Sequence, residues 1–143
     1  MTRIVLVVLL GTLTSFSALA DTLKSEQEAR QLSEKVMAQA VKGDILVAFA
    51  TMEPYVVIPE SEFQSMALQS KSQREQFGAR YGKSVGYEFI SEKKAGESIL
   101  RLIYIEKTEK HVLPWMFIYY ETPGGWVLND LSWNDRILNA FEP

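Results

Sequence analysis

At Gly82 the spacing of apolar residues changes. Before it they recur about every 3.6 positions, and after it every second position. No other feature constrains the fold as strongly. The first pattern buries one stripe of a helix, and the second buries one face of a strand. A chain of successive helices followed by successive strands lays its helices against an antiparallel sheet, which is the α+β class.

Ahead of Gly82, Leu32, Val36 and Ala40 stand four residues apart and predict a helix over 22–42. Gly43 supplies the left-handed residue that ends it. Asp44 is placed to cap a short second helix over 45–52, in which Ile45, Ala48, Phe49 and Met52 share a face. Residues 55–58, between Pro54 and Pro59, read as an extended connection. Pro59, Glu60 and Glu62 open a third helix that runs to about residue 80, with acids at the positive end of its dipole. Phe63, Met66, Ala67, Ser70, Arg74 and Phe77 lie on one side of it.

Beyond Gly82, four strands are expected over 85–92, 98–106, 111–121 and 126–133. The connections are short, and glycine stands in the first and third, so the strands form an antiparallel meander. The expected fold is three N-terminal helices packed on a curved four-stranded meander. Aromatic residues follow the same division, with 4 in residues 21–80 and 11 in residues 81–143.

These turns imply cross-strand pairs: Glu88 opposite Arg101, Arg101 opposite Trp115, and Phe117 opposite Asp130. One face then carries Tyr87, Phe89, Leu100, Leu102 and Tyr104, with Val112, Met116, Ile118 and Tyr120 from the third strand, and Val127, Leu131 and Trp133 from the fourth. That set forms the expected core. The opposite face is also mostly apolar, so a partner subunit, the helical layer or a ligand should cover it. Arg101, between Ile99 and Ile103, needs partners there. Glu88, Trp115 and Asp130 are in reach, and these four residues form the candidate binding set.

The start of the chain has the layout of a secretory leader. Arg3 gives a basic end, residues 4–10 are an apolar run, and Ala18-Leu19-Ala20 is a cleavage pattern. Cleavage is expected between Ala20 and Asp21, leaving one domain over 21–143. Thr12, Thr14, Ser15 and Ser17 break the apolar run well short of the ~20 residues of a membrane span. Cysteine is absent, which excludes an acylated lipoprotein, disulfides and thiolate metal sites. The expected location is the periplasm.

The chain carries 15 basic and 18 acidic residues, a net charge of −3. Residues 21–80 and 81–143 each hold 7 basic and 9 acidic groups, so no basic tract points to nucleic acid. Lys71, Arg74 and Arg80 read as the solvated face of the third helix. His111 is the single histidine, and no Gly-x-Ser-x-Gly elbow accompanies it. Asn129-Asp130 and Asn134-Asp135 lack EF-hand spacing. Gly124-Gly125 is a hairpin turn, since no helix starts there. No metal or cofactor is implied.

Lys42-Gly43-Asp44-Ile45-Leu46-Val47-Ala48-Phe49 resembles a "K-G-D-x-x-x-A-F" helix junction, and Gly125-Trp126-Val127-Leu128 a "G-W-x-(V/L)" strand opening. With the order of elements, they give a resemblance to the nuclear-transport-factor-2-like and cystatin-like α+β folds. The resemblance implies a cone-shaped pocket between sheet and helices. Some members are isomerases or dehydratases, many are non-catalytic ligand binders, and many dimerise through the sheet. No catalytic Asp/Tyr or Asp/His set matches residue by residue. The chain is similar also to small exported proteobacterial proteins of this plan, a match that implies no activity. The expected function is therefore an exported, non-catalytic binding or accessory domain for a small apolar or acidic ligand, with a homodimer expected. The alternatives are a pocket enzyme using Glu88, Asp130 or Asp135 as a buried base, and a structural dimer that takes no ligand.

Overall fold

A computed structural model describes residues 20–141. The leader expected over 1–20 lies outside them except for Ala20, which precedes Asp21. Helices α1 (Glu26–Val41), α2 (Ile45–Met52) and α3 (Glu60–Tyr81) come first. Strands β1 (Ser84–Ala95), β2 (Ile99–Thr108), β3 (Val112–Thr122) and β4 (Gly125–Trp133) follow. Short 3-10 turns occupy Glu53–Tyr55 and Ile137–Phe141. The strands pair antiparallel in chain order as an open four-stranded sheet, and the helices pack on one face of it. This is the α+β plan that the change of period predicts.

Local chemistry explains where the helices begin. α1 starts at Glu26 rather than near residue 22, because Leu23 exchanges two 2.8 Å backbone hydrogen bonds with Trp126 at the free edge of β4. Ser25 and Glu28 then form a reciprocal cap. The Glu28 amide donates to the Ser25 hydroxyl at 3.2 Å, and the Lys24 amide donates to the Glu28 carboxylate at 2.7 Å. Gly43, at φ +88°, ends α1 as expected. Asp44 heads α2, but its side chain makes no capping hydrogen bond. In the connection expected to be extended over 55–58, Val56 bridges to Leu128 in parallel, while Tyr55 closes the 3-10 turn that follows α2.

The core lies between helices and sheet. Leu32, Val36, Met37, Phe49 and Phe63 meet Leu100, Leu102 and Tyr104 of β2, Trp115, Phe117 and Tyr119 of β3, and Leu128 and Trp133 of β4. Polar ties accompany the apolar ones. Arg30 of α1 pairs with Glu26 and with Glu92 of β1, and Lys94 reaches Glu26 at 2.6 Å. Buried Ser33 and Tyr119 share a 2.8 Å hydrogen bond.

The register differs from the sequence expectation. Glu88 faces Ile105, Arg101 faces Lys93 and Ile118, and Trp115 faces Tyr104 and Trp133. Asp130 faces Ile118, while Phe117 faces Leu102 and Leu131. One cause is the β1–β2 turn. Only residues 96–98 separate Ala95 from Ile99, with Gly96 at φ +62°. A second cause is the β2–β3 turn, where Lys107 pairs with Val112 and so sets Arg101 opposite Ile118. A third is a set of irregularities in β1 between Ser84 and Gly86 and between Phe89 and Ser91, and in β4 between Leu128 and Asp130.

The faces of β3 and β4 change accordingly. Leu113, Trp115, Phe117 and Tyr119 point to the helices, where Val112, Met116, Ile118 and Tyr120 were expected. β3 is apolar on both faces over most of its length, so alternation does not choose between them. The bulge at Asn129 brings Leu128 and Leu131 to the same face. On the opposite face, the C-terminal turn lies over β2 and β3, and Ile103 beneath it is only 1% exposed. The chain itself covers part of the face expected to need a partner.

Candidate functional site

The side of α3 that buries Phe63, Ala67 and Ser70 also carries Arg74 one turn further on. The inward row of β2 runs Leu100, Leu102, Tyr104 and ends on Glu106, which is fully buried. The two meet. Arg74 Nη1 donates to Glu106 Oε2 and Nη2 to Oε1, both at 2.7 Å. Nη2 also donates to the Ala40 carbonyl in the last turn of α1 at 2.8 Å, where a cation suits the negative end of the dipole. Trp115 Nε1 donates to Glu106 Oε2 at 3.2 Å.

An aromatic stack supports this pair. Trp115 and Trp133 lie 5.2 Å apart and nearly parallel. Trp133 Nε1 donates to the Ser70 hydroxyl at 3.0 Å, and the Arg74 guanidinium stands 5.9 Å over the Trp133 ring. Each buried polar atom named here has its partner, as a low-dielectric interior requires. Arg74 is therefore an inward-facing residue, and its placement on a solvated face with Lys71 and Arg80 is corrected.

Arg74 and Glu106 form part of the floor of a cleft of about 440 Å³ between α3, the α1–α2 junction and the adjoining ends of β1 and β2. Exposed Lys42, Lys71 and Lys83 stand around it with the carboxylate of Glu75. Val41, Ile45, Phe77 and Leu113 give it apolar walls. The Ser84 hydroxyl also lines it, buried and without a hydrogen-bond partner among the described residues.

A second cluster sits beside it. The Tyr81 hydroxyl donates to Asp135 Oδ2 at 2.7 Å. His111 stacks on the Tyr81 ring at 4.5 Å, and its Nε2 donates to the Asp135 backbone carbonyl at 2.8 Å. The tyrosine hydrogen bond lowers the Asp135 carboxyl below its usual range and raises the Tyr81 hydroxyl above its own. The imidazole meets a carbonyl and not the carboxylate, so this is no charge-relay arrangement. It fastens the C-terminal segment to the end of α3.

The four residues singled out from sequence are not brought together. Glu88 is exposed on β1, 3.8 Å from Lys107. Arg101 is half-buried in a row running Lys93, Arg101, Ile118, Asp130, so Arg101 and Asp130 share a face with β3 between them. Trp115 lies on the other face, in the core. Sequence reasoning missed Glu106. Its signal was present: the Leu100, Leu102, Tyr104 alternation continues to a carboxylate on the core face, which requires a buried cation opposite.

Among the described residues, no three His, Cys, Asp or Glu side chains cluster to hold a metal ion. No helix among them is long and apolar enough to cross a membrane. No family model, curated protein or solved structure matches the chain.

Proposed function

We propose that the chain is an exported, non-catalytic binding domain whose ligand is a small anion held in the cleft beside α3. One observation carries this reading. The chain has more acids than bases, yet four bases and two acids line the cleft, a local balance of +2 in a protein of net −3. Glu106 neutralises Arg74, which leaves Lys42, Lys71 and Lys83 to face a ligand. Like charges held around one concavity raise its potential and attract an anion. The unpartnered Ser84 hydroxyl adds a donor in the same wall. The leader expected over 1–20 supports export.

The enzyme reading needs a buried carboxylate free to move a proton. Of the three candidates, Glu88 and Asp130 are exposed, and Asp135 is half-buried and accepts from Tyr81. Glu106 lies in the cleft, but its oxygens accept three hydrogen bonds and its side chain is 1% exposed. A substrate would have to break the Arg74 pair to use it. The C-terminal turn takes up part of the face that argued for a second subunit, so the weight of the proposal rests on the ligand.

Titration of inorganic phosphate into isotope-labelled protein tests it. The expected result is amide shift changes concentrated at Gly43, Gly78, Gly82 and Lys83, lost in the combined Lys42→Ala, Lys71→Ala, Lys83→Ala variant. Changes scattered over the surface, or undiminished in that variant, would overturn it.

A further inference from the structure

We infer that the anion taken by this cleft is amphipathic, with a charged head at the lysine rim and an apolar body against the walls. The inference rests on the cleft reading above and adds the class of ligand. Three features carry it: where the charge lies, how much space the charge leaves, and what lines that space.

The charge that attracts is confined to the rim. Lys42, Lys71 and Lys83 are exposed, while the cation of the floor, Arg74, is already matched by Glu106. An anion therefore gains nothing by descending to the floor. The space is larger than a bare anion fills. A cleft of about 440 Å³ compares with ~30 Å³ for each water of the liquid, so a carboxylate or phosphate group leaves most of it empty. The walls of the remainder are mainly apolar, with the Ser84 and Thr108 hydroxyls as the polar exceptions. Ile45 and Leu113 belong to the buried core, and Val41 and Phe77 reach the cleft half-buried beside them. Water held there lies against apolar surface, and a hydrocarbon body displaces it favourably. A ligand of this shape satisfies rim and walls together.

Gly78 allows a selective test. It lines the cleft on α3, and a Cβ at this position meets nothing within 4 Å. Leucine is also a far better helix former than glycine, so Gly78→Leu keeps the fold while filling the hydrocarbon space and leaving the three lysines in place.

The experiment measures affinities by calorimetry for acetate, butyrate, hexanoate and octanoate, with octyl phosphate, inorganic phosphate and octanol alongside. Affinity should rise about fifteenfold for each two methylenes added, since each buried methylene gives about fourfold. Gly78→Leu should remove that rise and keep the weak binding of acetate. Whichever of octanoate and octyl phosphate binds more tightly identifies the head group, and either result supports the inference. Octanoate no tighter than acetate overturns it and leaves the anion reading standing. Octanol as tight as octanoate, or no binding by any probe, overturns both.

Discussion

Arg74 of α3 holds Glu106 of β2 end-on, with each terminal nitrogen donating to a different carboxylate oxygen at 2.7 Å. The pair joins the helical layer to the sheet between residues 32 positions apart in sequence. Guanidinium and carboxylate match in this geometry, so the contact fixes orientation as well as distance.

Removing one partner leaves the other charge buried. Arg74→Met should therefore lower unfolding stability by about 3 kcal/mol or more, as read by urea denaturation. Glu106→Leu should cost less, because Arg74 retains the Ala40 carbonyl and some solvent contact. The double variant should be more stable than Arg74→Met alone, since it buries no unpaired carboxylate. A double variant as unstable as the sum of the two singles would show that the pair is not coupled.

Gly82 closes α3 at φ +86°, and the Glu109 carboxylate occupies the place a Cβ would take. The same carboxylate accepts the Lys83 amide at 3.0 Å. Gly82→Ala meets both obstacles and should lower stability by about 1–2 kcal/mol from the backbone alone, with more from the displaced side chain. Adding Glu109→Ala should relieve the clash but not the dihedral, so thermal melting should recover only in part.

Tyr81 and Asp135 make stability depend on pH at both ends of the scale. Asp135 is lowered from an ordinary 3.8, so its contribution is present above that value and is lost as pH falls through the depressed one. Tyr81 is raised from 10.0, so its contribution is present below that value and is lost as pH rises through the elevated one. The stability gap between wild type and Tyr81→Phe should form a plateau between these limits and close beyond each of them. Both groups are well solvated, so the effect is small. A gap that stays constant from pH 3 to pH 7 would remove Asp135 as the cause.

The order of elements was legible because periodicity reports burial, and burial on this scale decides helix against strand. Leu100, Leu102 and Tyr104 face inward as their alternation says. β3 was not legible in the same way. Met116 and Ile118 are as apolar as Phe117 and Tyr119, so a slip of one residue leaves the pattern unchanged. What selects the face is the space beneath α1 and α3, which takes the larger rings and gives Trp115 Nε1 its acceptor on Glu106. The turn at residues 96–98 is tighter than composition suggested, which displaced every pair between β1 and β2. Glu106 could have been found by carrying the β2 alternation one step further. Its partner Arg74 was on the apolar side of α3 from the start.

The bulge in β4 is the least visible of these features and the easiest to test. Register runs from Thr122–Gly125 to Tyr119–Leu128, then shifts so that Ile118 faces Asp130 and Asn129 is the extra residue. Without it, the period of two would carry either Trp126 and Leu128 or Leu131 and Trp133 to the outer face. All four belong to the core, and Trp133 holds Ser70 and lies under Arg74. Deleting Asn129 should therefore lower stability by about 3 kcal/mol or more, the cost of withdrawing one large side chain from a packed core. Asn129→Thr keeps the extra residue, and as an exposed substitution it should cost less than about 1 kcal/mol. Urea unfolding of the two variants separates backbone register from side-chain chemistry at this position. Equal stability for both would mean that β4 re-pairs without the bulge and that the Trp133 stack does not depend on it.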